Sequence, residues 1–351
     1  MTSGITTHDV NAPAPFLSVV IPTYNRCDSL RVTLDALRRQ TPVDGGFEVV
    51  VVSDGSVDGT DALLAEWSAE RAFQLRPFSQ QNAGPARARN RGVEEARGEV
   101  IVFLDDDVEP APECLRNHAA RHRSSETIVL IGPMSADPRR RAVEPVWIAW
   151  EHAMLQKQYD GWRDGIWAEH ECGPHNFYTG NASVRRAHIR AVGGFDETFN
   201  RQEDVELAMR MERLRGVFFR FDPSLAALHR PLRTFESWRR VPYAYGRLDV
   251  VRAQRGDAPW DVVRNGYVAR QGATRALATL ALPGKSRGIA VRWALRHIAE
   301  ALYAVPAGAS RRAALSALSA LYNLHYLEGA RDELGSWPAL RGVIRAHAPA
   351  A

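Results

Sequence analysis

Three short apolar runs, at 17–21, 47–52 and 100–104, each give way to polar residues, and the first two then to a helical pattern. Runs of that length bounded by turn residues predict buried strands. Strands alternating with helices predict an α/β fold with a mostly parallel sheet and crossovers on both faces. After the first run comes the turn Pro22-Thr23-Tyr24-Asn25, then Asp28 as a possible cap for a helix bearing Leu30, Leu34 and Leu37. After the second comes Ser53-Asp54-Gly55-Ser56, then Asp58 capping a helix with Leu63, Leu64 and Trp67 inward. A third short strand is expected near 73–78 and a helix over 85–96. Ligands of such sheets bind outside the carboxyl ends of the strands. Asp54 and Asp105 to Asp107 all fall there, so one shared site is expected.

Asp105-Asp106-Asp107 is the most chemically pointed stretch. Adjacent like charges repel and need a cationic offset. A hard divalent cation held by carboxylates and substrate phosphates supplies one, Mg²⁺ or Mn²⁺ with a nucleoside diphosphate; a solvated acidic turn is the alternative. If the strand continues, Asp105 and Asp107 point together and Asp106 points away.

Other segments leave two readings open. Asp54 is either a turn-stabilising residue or a hydrogen-bond acceptor for a base imide or a ribose hydroxyl. The helix opened by Pro85 presents an N-terminus that favours anions. Arg87, Arg89 and Arg91 cannot share one face of it, and Arg89 and Asn90 are candidate nucleotide contacts or ordinary surface residues. Asp204 lies on one helical face with Leu207, Ala208 and Met211. It is either a carboxylate at a helix N-terminus or a general base at a cleft floor. His229, after an apolar run, is either structural or a ligand.

Residues 1–15 read as a mobile tail, 16–232 as one α/β domain, and 233–351 as a helical region broken near Pro259, Pro283, Pro306 and Gly335. Between the strands and that region lie Trp147, Trp150, Tyr159, Trp162 and Trp167, an expected hairpin at 179–184, a helix at 203–214 and a strand at 218–221. Apolar content of 45% and charged content of 25% are those of a globular chain. Only Lys157 and Lys285 are lysines among 45 basic residues, and the net charge is +4. An arginine bias of that kind weakens any case for nucleic acid, and no nucleic-acid partner is expected. Cys27, Cys114 and Cys172 form no disulfide or metal spacing and suit a reducing compartment. With no signal-peptide pattern and no apolar run of membrane length, a cytoplasmic location is expected, with peripheral contact at the inner membrane face as a variant.

The ordered set Val-Ile-Pro-Thr-Tyr-Asn, Ser-Asp-Gly-Ser-x-Asp-Gly-Thr, Asn-x-Gly-x-x-x-Ala-Arg-Asn-x-Gly, Phe-Leu-Asp-Asp-Asp, Gly-Gly-Phe-Asp-Glu and Glu-Asp-Val-Glu-Leu resembles the family 2 glycosyltransferases over roughly 16–232. The resemblance implies the GT-A fold, a Rossmann-like domain, and inverting transfer of a sugar from a nucleoside diphosphate donor to an acceptor. It implies that Asp54 recognises the base in a pocket lined by Pro22, Thr23, Tyr24 and Asn25, with Arg89 and Asn90 nearby. Asp105 and Asp107 match the DxD motif for ribose and metal–diphosphate, with Asp106 between them. Asp107 and His229 would hold Mn²⁺ or Mg²⁺, and Asp204 would be the catalytic base. Gly180, Asn181 and Glu203 would contact donor or acceptor; separately, the aromatic segment offers Trp150 for stacking on a sugar or an aglycone. The Gln-x-x-Arg-Trp motif of processive synthases is lacking, so a single addition is expected. A non-catalytic nucleotide-sugar scaffold is the alternative from another class. A nucleotidyltransferase is disfavoured, since no Gly-rich basic loop follows the first strand. The C-terminal helices, with Arg264, Arg270, Arg275, Lys285, Arg287, Arg292, Arg296 and Trp293, would cover a core, meet a second copy or lie on an anionic membrane.

Overall fold

The structure is a computed structural model that describes residues 14–70, 73–163, 172–199, 201–256, 259–268 and 272–346. Residues 1–13 of the tail expected over 1–15, and Trp167 and Arg270, lie outside the described residues. The chain divides into two compact units, 1–137 with 155–231, and 138–154 with 232–351. Residues 138–154 therefore group with the helical unit, unlike the contiguous domain expected over 16–232.

The first unit begins with β1 (Leu17–Thr23), α1 (Cys27–Arg38), β2 (Phe47–Asp54), α2 (Thr60–Glu70), β3 (Gln74–Gln80), α3 (Pro85–Glu95) and β4 (Val100–Leu104). It continues through β5 (Val108–Pro110), α4 (Cys114–Ser124), β6 (Ile128–Ile131) and β7 (Met134–Ala136). Helix α5 (Val146–Arg163) spans the division after Met154. Then come β8 (Asn181–Arg185), α6 (Arg186–Ala191), α7 (Glu203–Glu212), β9 (Phe218–Phe221) and β10 (Ala227–His229).

Seven strands form one sheet in the order β3-β2-β1-β4-β8-β6-β9, parallel except where β8 runs antiparallel to β4 and β6. The expected hairpin at 179–184 is instead this central strand, whose apolar residues lie between two others of the sheet. The period of two sorts the strands onto two cores. Val19, Ile21, Val49, Val51, Val100 and Val102 pack with Leu30, Leu34, Leu63 and Leu64 of α1 and α2. Val20, Val50, Val52, Ile101 and Phe103 pack with Ala88 and Val93 of α3 and Leu207 and Met211 of α7. A small sheet, β5-β10-β7, sets His229 opposite Val108.

The helical unit comprises α8 (Phe235–Arg255), α9 (Asp261–Val268), α10 (Gly272–Ala281), α11 (Lys285–Ala304), α12 (Gly308–Glu333) and α13 (Trp337–Ala346). Four of its breaks fall at the expected Pro259, Pro283, Pro306 and Gly335, and the separation of α9 from α10 was not expected. Glycines let α8 and α12 touch: a Cβ at Gly246 would strike the Tyr326 carbonyl, and one at Gly329 the Tyr243 carbonyl. Trp150, Trp238, Phe235 and Tyr322 form an aromatic cluster in the same unit. No described helix is long and apolar enough to cross a membrane.

Candidate active site

The turns after β1 and β2 are stitched together. Asn25 adopts a left-handed φ of 52°, which its short polar side chain tolerates. Its Oδ1 accepts from the Val57 amide at 2.8 Å, and its own amide donates to Ser56 Oγ. Asp58 accepts from the Cys27 amide at 2.9 Å and from the Thr60 hydroxyl at 2.6 Å. Asp28 makes no cap; it sits inside the first turn of α1, where a carboxylate favours the helix N-terminus without bonding it.

Asp54 closes β2, and its buried carboxylate accepts from Gln80 Nε2 (2.8 Å) and from the amides of Ala83 (3.0 Å) and Gly84 (2.8 Å). These bonds lock the loop leading into α3. A carboxylate has about four acceptor positions, so one more partner can be taken.

Strand β4 ends at Leu104, so the three acids lie in a turn and the alternation argument does not apply to them. The Asp106 carboxylate accepts from Thr23 Oγ1 at 2.7 Å, and its carbonyl accepts from Thr33 Oγ1. Burial, and then the Asp107 charge, push its pKa up to about 7, against the Thr23 hydrogen bond and Arg26. Asp105 pairs with Arg89 at 2.9 Å and Asp107 with Arg26 at 3.1 Å. The cationic offset that the cluster demands is thus supplied in part by two guanidinium groups of the protein.

Arg89 is buried, and its second nitrogen donates to Glu203 at 3.0 Å. Burial works against its charge, yet Asp105, Glu203 and Asp204 hold its pKa above the ordinary value. This bridge ties the β4 turn to the head of α7. There Asp204, half-buried, accepts from the Val205 amide at 2.8 Å. Burial, and then the Glu203 carboxylate, lift its pKa to about 6, with Arg89 pulling it down. Gln202, directly before the first residue of α7, takes a left-handed φ of 59°, a strained conformation for such a side chain.

Gly180 donates no side chain because none fits: a Cβ would press on Met134 Sδ and lie 3.0 Å from Asp105 Oδ2. Its carbonyl accepts from the Asp105 amide at 3.2 Å. His229 Nε2 lies 3.6 Å from Asp107 Oδ1. Among the described residues no three His, Cys, Asp or Glu side chains converge as a metal cage. Asp107, with His229 beside it, is where Mg²⁺ or Mn²⁺ would be held, since such an ion takes one or two carboxylates when diphosphate oxygens complete the shell.

Two expected contacts, Asn181 and Trp150, are buried, and a third, Asn90, is held by the chain itself. Asn90 gives its amide to the Phe195 carbonyl (2.9 Å) and accepts from the Phe195 amide (2.8 Å), so these groups clasp the 193–197 turn, while the residue also lines a cavity with Asn82, Ala83 and Arg87. Asn181 is buried and donates to the carbonyls of Pro133 and Leu225 at 3.1 and 2.7 Å, with no group left for a sugar. Trp150 is buried in the helical unit, its indole N–H on Ser319 Oγ at 2.7 Å and its ring against Tyr322 at 4.7 Å. A stacking platform needs one reachable ring face, and this ring, only 8% exposed, is core. Tyr24 stays half exposed. Arg26 was missed as a site residue; its place directly after Asn25 was the available signal.

The family model for glycosyl transferase family 2 matches residues 18–193, half of the chain. Validoxylamine A glucosyltransferase of Streptomyces hygroscopicus subsp. jinggangensis is 32% identical over 241 residues, 59% of this chain and 53% of that protein. Pre-mycofactocin glycosyltransferase of Mycobacterium tuberculosis is 30% identical over 236 residues, 66% of this chain and 46% of that protein. The uncharacterized glycosyltransferase YfnE of Bacillus subtilis is 28% identical over 254 residues, 60% of this chain and 64% of that protein. The matches thus span about half to two thirds of these relatives' lengths. The crystal structure of S. aureus TarS 1–349 in complex with UDP-GlcNAc shares the fold, with a TM-score of 0.50, 19% identity and 92% of each chain covered. On the match of the family model, the chain belongs to glycosyl transferase family 2.

Proposed function

We propose that this protein transfers one sugar from a nucleoside diphosphate donor to an acceptor hydroxyl, with inversion and with a divalent cation. The observation that carries this reading is the Arg89 bridge, which joins the acids after β4 to the Glu203-Asp204 pair heading α7. A donor-binding turn and a candidate base are thereby held as one piece, as a direct displacement requires.

In this reading the Asp54 loop and the β1 turn receive the nucleotide, and Asp105 beside Gly180 faces the ribose and sugar. Asp107 and His229 would hold Mn²⁺ or Mg²⁺, which when bound supplies positive charge for the departing diphosphate. Asp204 accepts the proton of the acceptor hydroxyl as its oxygen forms a bond to the anomeric carbon. The bond from that carbon to the diphosphate oxygen breaks from the opposite side. A carboxylate with a pKa near 6 is ionised at neutral pH yet still basic enough to take that proton. Single addition rests on the absent Gln-x-x-Arg-Trp motif, and the relatives named for glycosyl transfer support the reaction class.

Release of nucleoside diphosphate from a panel of donor sugars, with Mn²⁺ and with EDTA, tests the reading. Turnover that stops with EDTA and returns on adding Mn²⁺ is expected, with Asp107→Ala raising the donor KM. Turnover indifferent to EDTA would remove the cation, and binding of donors without any release would leave a scaffold.

A further inference from the structure

The helical unit carries a surface that sugar transfer does not use. Between Asp261 and Glu300 the sequence holds no aspartate or glutamate, while it holds Arg264, Arg270, Arg275, Lys285, Arg287, Arg292 and Arg296. Helices α10 and α11 come from this stretch. They meet closely at Gly288, where a Cβ would lie 2.7 Å from the Ala281 carbonyl oxygen. That approach sets Leu280 and Ile289, the next residues along, at the same end of the pair.

Both helices turn apolar residues to solvent. On α10, Ala273, Ala276 and Leu280 fall on one face at i, i+3 and i+7 and are exposed. On α11, Ile289 is 62% exposed and Trp293 63% exposed, with Ala290 exposed beside them. The Trp293 ring stacks on His297 at 4.2 Å and finds no deeper pocket. Arg292 and Arg296 are neutralised by Glu328 and Glu300. Arg275 and Arg287 are exposed and form no ion pair among the described residues.

An indole and two large aliphatics held in water beside two cations that pair with no acid among the described residues have a natural counterpart. We infer that α10 and α11 dock on an anionic lipid surface. Leu280, Ile289 and Trp293 enter the boundary between headgroups and acyl chains, and Arg275 and Arg287 meet the lipid phosphates. A second copy of the chain is the poorer occupant, because a two-fold contact through this face would bring the cations Arg275 and Arg287 of one copy toward the same cations of the other, with Glu300 and Glu328 already paired to Arg296 and Arg292. The inference does not rest on sugar transfer, and each can fail without the other.

Co-sedimentation of the full chain with vesicles tests it, comparing phosphatidylcholine alone with phosphatidylcholine containing phosphatidylglycerol. Binding to the anionic vesicles is expected, at least about tenfold weaker without phosphatidylglycerol and falling as salt is raised. Trp293→Glu with Ile289→Asp, and separately Arg287→Glu, should each cut anionic partitioning by roughly tenfold or more, with the circular dichroism spectrum unchanged. The salt dependence of the unmodified protein stands whether or not a variant folds. Absence of binding, equal binding to neutral vesicles, or variants that bind like the parent would each overturn the inference. So would a dimer in sedimentation velocity that Trp293→Glu dissociates while vesicles go unbound.

Discussion

At Asp204 the burial that raises the pKa to about 6 has two opposite consequences. For activity, the base is lost as pH falls, so kcat/KM should decline about tenfold per unit below pH 6. Asp204→Asn should reduce kcat by about 10²- to 10⁴-fold and abolish that acid limb; an acid limb that survives in the variant assigns the pKa to another group. For stability the sign reverses. The unfolded carboxyl ionises near 3.8, so the folded state loses stability as pH rises from about 4 through 6. The asparagine variant, keeping an acceptor for the Val205 amide, should melt no lower than the parent above pH 6. Arg89 is the contrasting case. Arg89→Ala leaves Glu203 and Asp105 without their cation and should cost about 3–5 kcal/mol in urea unfolding, as breaking a buried ion pair does. The sequence marked Arg89, Asp105, Glu203 and Asp204 individually. It carried no sign that Arg89 joins the rest, because residues 89, 105 and 203 are distant in the chain and meet only through packing of α3, β4 and α7.

Elements were legible where periodicity was strong. The runs that became β1, β2 and β4 alternate between the two cores with the expected period of two, and α1, α2 and α3 follow as the spacing of their leucines and Pro85 implied. Reading failed where a segment's partners are remote. Residues 181–185 pair with β4 and β6, not with each other's neighbours, and nothing local distinguishes that from a hairpin. The turn at 193–197 is instructive in the same way. Gly194 has a φ of 77°, and a Cβ there would lie 2.7 Å from Asn90 Oδ1, the atom that holds the Phe195 amide. Gly194→Ala should therefore destabilise by roughly 1–3 kcal/mol, seen as a lowered Tm; an unchanged Tm would mean that the turn relaxes freely. Asn90 resembled a ligand contact because a polar residue near a helix N-terminus serves either purpose.

Across the whole molecule the two units keep separate cores, and the helical one depends on backbone proximity. Gly329→Leu should prevent α8 and α12 from meeting at Tyr243 and cost several kcal/mol, more than about 3 by analogy with severe overpacking, read as lost helical signal at moderate urea. A variant as stable as the parent would show that the two helices can separate without loss. From sequence alone came the strand–helix alternation, the acids at strand ends and the helical C-terminal region, since these follow from hydrophobic period and from turn residues acting over a few positions. Tertiary structure alone decided that the acids lie in a turn, that Arg26 and Arg89 neutralise them, and that His229 reaches Asp107 through the register of β10 with β5. It also withdrew Trp150 and Asn181 into cores. Each of those outcomes depends on which remote segments share buried space, and the local pattern of a chain does not encode that choice by itself.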